Sequence, residues 1–157
     1  MHLYLQEEAI RLQAGQSTDI SLSLSLPSLL KAGLQHFPPS EQAMEQAIAS
    51  TEDALMPWIP ALRLDSLEVL ECADAVLAPL PGVLGYPPQA ICELDIDEVE
   101  RAFNQLAQVA AGMPAKSLDL PERPDFVAAL VVVRELMHHV GWEQLRLLEA
   151  GLVGAEN

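Results

Sequence analysis

The sequence predicts an α+β fold in which an N-terminal antiparallel β-hairpin or small sheet packs against three to four α-helices. Residues 20–26 alternate Ile or Leu with Ser without interruption, which is typical of a strand with one buried and one solvated face. Helix start signals at Ser40, Asp95 and Pro124 each precede an apolar stripe. Half of the residues are hydrophobic, so residues 1–157 can form a single domain with a sizeable core.

The N-terminal third is predicted to be a β-hairpin. Residues 10–13 alternate apolar and polar side chains, and residues 14–17 can turn the chain toward the second strand. Pro27 should end that strand, because proline offers no amide to the ladder. We expect the first strand to begin at residues 3–5, with a bulge near Glu7 and Glu8.

The first helix is predicted to run from about Ser40 to Met56. Pro39, the Ser40 hydroxyl and the Glu41 carboxylate form a start signal. The apolar stripe that follows indicates one buried face, and it consists of Met44, Ile48, Thr51 and Leu55.

The middle of the chain contains one segment of ambiguous secondary structure and one proline-rich segment. Residues 64–78 fit either a helix or a strand, and the stretch 67–72 is the best candidate for a third strand, since a lone hairpin is marginal in water. Residues 79–88 contain four of the twelve prolines and are predicted to be a loop. This loop should divide a β-containing N-terminal part from a helical C-terminal part of the same domain.

The second half of the chain is predicted to be helical. Asp95 and Glu98 form a capping box that opens one helix, and Gly112 can end it. A further helix should run from Pro124 to His139, and its centre at residues 126–133 is apolar on every side. Such a helix is either central or half covered by a second subunit, so a homodimer is one expectation. A short last helix is predicted at residues 142–150.

The charge of the chain excludes two classes of partner. Twenty-three Asp and Glu oppose eight Lys and Arg, giving a formal net charge of −15. The basic residues are scattered, whereas nucleic acids and anionic membranes require clustered cations. The sequence contains no apolar run long enough to span a bilayer and no secretory leader pattern, so we expect a cytoplasmic protein. In that reducing compartment, Cys72 and Cys92 are interpreted as buried thiols.

Catalytic motifs are absent from the sequence. It has no Gly-x-Gly-x-x-Gly, no Walker-type Gly-Lys-Ser/Thr and no Gly-x-Ser-x-Gly. The acidic run at residues 93–100 lacks the glycine and the final glutamate of a calcium-binding EF-hand loop. Acids at a helix N-terminus are explained by the helix dipole instead.

One metal-ligating pattern stands out. Glu135 and His138 have the Glu-x-x-His spacing of di-iron carboxylate bundles, and Glu135 and His139 share a helix face. These two spacings make Glu135, His138 and His139 the candidate metal ligands. The rest of the di-iron pattern is missing, however, and histidines in a last helical turn are also explained by their favourable interaction with the helix dipole.

Three aromatic residues lie at breaks between elements, where partner contacts are common. They are Trp58, Tyr86 and Trp142. A core role, packing a turn against the body of the domain, explains each of them as well.

These observations favour a non-enzymatic acidic protein-interaction module, an adaptor or a small chaperone-like protein, with no cofactor. Its partner would be a protein, and a basic one would complement its charge. The alternative is a small metal-binding protein or enzyme that uses Glu135, His138 and His139. The enzyme hypothesis requires those side chains to converge in one pocket.

Overall fold

A computed structural model describes residues 1–64 and 69–149, and it confirms the α+β class. Its mixed sheet has six strands and is larger than the predicted hairpin. The strands are β1 (His2–Tyr4), β2 (Arg11–Ala14), β3 (Thr18–Ser21), β4 (Leu70–Cys72), β5 (Ile91–Asp95) and β6 (Gln144–Leu148). The α-helices are α1 (Leu26–Leu29), α2 (Glu41–Leu55), α3 (Ile59–Arg63), α4 (Leu80–Val83), α5 (Ile96–Ala110) and α6 (Pro124–Val140).

The spatial order of the strands is β3-β2-β1-β4-β6-β5. The predicted hairpin is confirmed as the antiparallel pair β2 and β3, in which Leu12 lies opposite Ile20. Its second strand is Thr18–Ser21 and not residues 20–26, and Pro27 lies in the first turn of α1. Residues 3–5 are not part of β2, although the first strand of the hairpin was expected to begin there. The chain bends at residues 6–9, so that His2–Tyr4 forms its own strand, antiparallel to β2 and parallel to β4.

The two faces of the sheet differ in polarity. The inner face is apolar and buried under the helices, and it includes Leu3, Leu12, Ile20, Leu70, Cys72, Leu94 and Leu145. The outer face carries charges that pair across neighbouring strands. There, Arg146 contacts Glu93 at 2.8 Å and Glu71 at 3.7 Å, and the Arg11 guanidinium lies 4.6 Å from the centre of the Tyr4 ring.

Helix α6 is the centre of the core. Residues 126–133 are all at most 1% exposed, because α6 contacts α1, α2, α3 and α5. The apolar surface on every side of this helix is thus buried by the chain's own elements. A homodimer stays a prediction, but the burial of α6 does not require a second subunit.

The predicted start signals act as expected. The Ser40 Oγ accepts a hydrogen bond of 3.0 Å from the Ala43 amide at the start of α2. At α5, the Glu98 amide donates to Asp95 Oδ1 at 2.8 Å, and the Glu98 side chain accepts from the Asp95 amide. Gly141, at a φ of 102°, ends α6 in the left-handed region that glycine favours.

Three local predictions need correction. The helix predicted at residues 142–150 is instead β6, as far as the structure describes it, because Leu145 and Leu147 face the core while β4 and β5 pair with its two edges. Strand β5 was not expected at all. The proline-rich loop at 79–88 contains the short helix α4.

Residues 64–78 fitted either a helix or a strand in the sequence analysis. They contain strand β4, which agrees with the expectation of a third strand in this segment. Residues 65–68 of that segment lie outside the described part of the chain. No helix within residues 1–64 and 69–149 is long and apolar enough to cross a membrane.

Candidate functional site

The strand order creates a crevice at the carboxyl ends of the central strands. Strands β1 and β4 lie side by side and parallel, but the chain leaves β1 toward β2 and leaves β4 toward β5 and β6. Ligands bind at such switch points in open sheets, outside the carboxyl ends of the strands. The candidate site is therefore at this edge of the sheet.

An open cleft of about 670 Å³ lies at this edge. Its walls are residues 73–75 after β4, parts of the proline-rich segment between residues 78 and 90, Cys92 of β5, and residues 147–149 at the end of β6. This volume falls within the range of small-molecule sites. We call this feature the carboxyl-edge cleft.

Asp74 is the carboxylate that the fold holds in place at the cleft. Its Oδ2 atom accepts hydrogen bonds from the backbone amides of Leu5 at 2.5 Å and Gln6 at 3.4 Å. The Gln6 side chain in turn accepts a bond of 3.2 Å from the Val76 amide. The bend after β1 and the segment after β4 are thus fastened to each other, and Asp74 has a fixed position between them.

The two cysteines near the cleft are not activated thiols. Burial raises the pKa of the Cys72 thiol to about 12, and the nearby Asp74 carboxylate also opposes ionisation. Burial likewise raises the pKa of Cys92, which lines the cleft. Both thiols are buried and unpaired, as the sequence predicted, and a nucleophilic cysteine would need the opposite shift.

Of the three aromatic candidates, Tyr86 lines the cleft. Its hydroxyl donates to Glu98 Oε2, and that hydrogen bond raises the pKa of Tyr86. Trp58 is 37% exposed between α2 and α3, whereas Trp142 is fully buried. Trp142 packs in the core and offers no surface to a partner.

The cleft is acidic. Asp74 and Glu149 contribute carboxylates to its lining, and no Lys or Arg lines it among the residues that the structure describes. These two carboxylates therefore disfavour an anionic ligand that enters without a cation.

The predicted metal ligands lie elsewhere, on the side of α6 that faces α2. Glu135 and His139 come together as expected, with 3.0 Å between Glu135 Oε2 and His139 Nε2. His138 is exposed, and its ring lies nearly perpendicular to that of His139, with 5.5 Å between their centres. Glu52 takes the third position, since its Oε1 lies 3.2 Å from His139 Nε2. No sequence pattern indicates Glu52, which lies on a different helix, α2.

Comparison with known proteins gives a match in structure only. No protein-family model and no curated protein sequence matches this chain. The fold is similar to the Aquifex aeolicus member of the Ppx/GppA protein family, with a TM-score of 0.67, 12% identity, and coverage of 99% of this chain and 55% of that one.

Two further solved structures are similar to the same extent. The type II variant of the Aquifex aeolicus Ppx/GppA phosphatase has a TM-score of 0.68 and 13% identity, over 97% of this chain and 53% of that one. An exopolyphosphatase from Cytophaga hutchinsonii has a TM-score of 0.66 and 12% identity, over 94% of this chain and 52% of that one. The chain spans about half the length of the structures that it matches.

This similarity corrects the functional prediction from the sequence. The expected non-enzymatic interaction module, an adaptor or chaperone-like protein, is wrong, because the chain has the fold of phosphatase-family enzymes. The prediction relied on missing catalytic motifs. At this level of identity, a fold can match an enzyme while no short motif of the sequence indicates it.

Proposed function

We propose that this chain forms one domain of a phosphohydrolase that acts on phosphoanhydrides such as inorganic polyphosphate. The observation that carries the proposal is the similarity of fold, which covers 94–99% of the chain in structures of Ppx/GppA and exopolyphosphatase proteins. The carboxyl-edge cleft is the substrate site in this proposal. It lies at the carboxyl ends of β4 and β6, and open sheets bind ligands outside the carboxyl ends of their strands.

The acidity of the cleft determines the form of the substrate. Phosphate oxygens would be repelled by Asp74 and Glu149, which line the cleft without a basic residue among the described lining. Mg²⁺ removes this repulsion, since it is ordinarily bound by one or two carboxylates together with substrate phosphates. We infer that the cleft takes the magnesium complex of its substrate.

Asp74 is the best placed of the cleft carboxylates to hold that complex. The amides of Leu5 and Gln6 bond to its Oδ2 atom, so the direction of the carboxylate is fixed and its Oδ1 atom can bind the cation. Glu149 is exposed and has more freedom. A positioned carboxylate binds a metal more tightly than a mobile one, because less side-chain entropy is lost on binding.

The matched structures are about twice as long as this chain, and we infer that a second domain or chain closes the cleft. That second part would supply the basic groups that stabilise charge in phosphoryl transfer.

The test is calorimetric titration of the chain with short-chain polyphosphate in the presence and absence of Mg²⁺. Binding is expected only with Mg²⁺, and Asp74→Asn should weaken it by about tenfold or more, the effect that loss of a positioned partner has at metal sites. Asn keeps an acceptor for the Leu5 amide, so the fold should be retained. Asp53→Asn, an exposed change on α2, is the matched control and should bind as the wild type does.

Phosphate release from the same substrate is measured in parallel. Release that Asp74→Asn lowers and Asp53→Asn leaves unchanged would assign catalysis to the cleft. The proposal is wrong if polyphosphate with Mg²⁺ neither binds nor is hydrolysed. It is also wrong if the two variants behave alike.

A further inference from the structure

We propose that Glu52, Glu135 and His139 form a binding site for one divalent transition-metal ion, of which Zn²⁺ is the best fit. Glu135 and His139 come from α6, and Glu52 comes from α2, which packs against α6. The three side chains each offer one ligand atom, and these atoms lie within 4.8 Å of one another. This inference is independent of the proposed phosphohydrolase function.

The distances suit a tetrahedral ion. His139 Nε2 lies 3.0 Å from Glu135 Oε2 and 3.2 Å from Glu52 Oε1. Metal–ligand bonds of about 2.0–2.2 Å place neighbouring ligand atoms of a tetrahedral zinc site about 3.3–3.5 Å apart. His139 Nε2 therefore needs to move away from each carboxylate oxygen by only a few tenths of an ångström to accept the ion, and the ligand atoms of the two glutamates lie within 4.8 Å of each other.

The bonding of Glu135 provides a second observation that points to a ligand. Its side chain is fully buried, and its Oε1 atom accepts a hydrogen bond of 3.0 Å from Arg134. Its Oε2 atom lies 3.0 Å from His139 Nε2 but accepts no well-aligned hydrogen bond from the described residues. An unsatisfied buried carboxylate oxygen is costly, and a metal ion would supply the missing partner.

The surroundings allow an ion to enter. The side chain of His139 is 30% exposed and that of Glu52 is 42% exposed, so one side of the cluster opens to solvent. Three protein ligands with a fourth position for water is the arrangement of an open zinc site. One imidazole with two carboxylates provides nitrogen and oxygen ligands, which also suit Mn²⁺ and Co²⁺.

The position of the cluster separates it from the cleft. Helix α6 ends at Val140, shortly before β6 begins at Gln144, so the last turn of α6 lies near the amino end of β6. The carboxyl-edge cleft is at the other end of that strand. Binding at one site can therefore be measured without occupying the other.

The test is calorimetric titration of the chelator-treated, untagged chain with ZnCl₂. One ion per chain is expected to bind to the wild type. His139→Ala and Glu52→Gln should each weaken that binding by at least about tenfold. His138→Ala is the matched control, because His138 is the adjacent exposed imidazole outside the cluster, and it should bind zinc as the wild type does.

Thermal melting without metal checks that each variant folds, and the partly exposed Glu52 makes Glu52→Gln the safer of the two. Zinc should raise the melting temperature of the wild type and of His138→Ala, since an ion that binds only the folded state stabilises it. The proposal is overturned if the wild type binds no zinc. It is also overturned if folded Glu52→Gln and His139→Ala bind zinc as tightly as His138→Ala.

Discussion

Replacing Arg134 by Met should destabilise the fold because it leaves a buried carboxylate without its cation. Arg134 Nη1 lies 3.0 Å from Oε1 of Glu135, whose side chain is fully buried. The same guanidinium makes two bonds to Glu100, at 2.9 and 3.0 Å, and lies 4.6 Å from the centre of the Phe103 ring. Met keeps much of the length and apolar surface of the side chain but none of its charge.

The expected loss follows from the exposure of the partners. Removing one partner of a buried ion pair costs about 3–5 kcal/mol. Arg134 is 20% exposed, so water can partly solvate the carboxylate that remains, and the lower end of that range applies. Loss of the partly exposed bonds to Glu100 adds about 0.5–1 kcal/mol. We expect the free energy of unfolding to fall by about 3–4 kcal/mol.

Urea unfolding at pH 7 in the presence of a chelator measures this loss without any contribution from metal. Arg101→Met is the matched control, because Arg101 is exposed on α5 and its replacement should change stability by less than about 0.5 kcal/mol.

The double variant Arg134→Met with Glu135→Met tests the cause of the effect. Replacing both partners of a buried pair by apolar residues is often close to neutral, so the double variant should be more stable than Arg134→Met alone. The reasoning is refuted if Arg134→Met costs less than about 1 kcal/mol. It is also refuted if the second substitution adds to the loss.

Two further predictions concern ionisation. Because burial raises the pKa of Cys72 to about 12, its thiol should stay protonated at pH 8. A disulfide reagent should then modify the folded Cys92→Ser variant slowly and the denatured one rapidly; equal rates would contradict this. Hydrogen bonding to Arg134 lowers the pKa of Glu100 from 4.5, so its contribution to stability is present above that pH and is lost as pH falls through the lowered pKa. Urea titrations at several pH values should therefore show a smaller acid-induced loss for Glu100→Gln than for the wild type.

The elements predicted correctly from the sequence are those with local signals. Helices α2 and α5 begin where Ser40 and Asp95 supply a capping side chain, and this interaction depends on residues within one turn. Strands β5 and β6 were missed although each is longer than β2 or β3, because no short turn joins either of them to a neighbouring strand. The spacing of Leu145 and Leu147 fits a strand, but nothing local identifies β4 and β5 as its neighbours.

The candidate sites show the same difference between local sequence signals and long-range contacts. Glu135 and His139 could be paired from the sequence because they are four residues apart on one helix. Glu52 could not, since it lies 87 residues before His139 and its position depends on how α2 packs against α6. Asp74 became a candidate only when the strand order showed where the crevice opens, and strand order is a long-range property.

The strand order also has a consequence for synthesis of the chain on the ribosome. Strand β6 lies between β4 and β5, although it is made after both of them. The hairpin of β2 and β3 can form as soon as it emerges, because its contacts are local. The other half of the sheet must wait with an unpaired edge on β4 and on β5 until Gln144–Leu148 has been translated. Until then both edges are open to pairing with other chains, so a stall or truncation ahead of β6 would yield an aggregation-prone nascent protein.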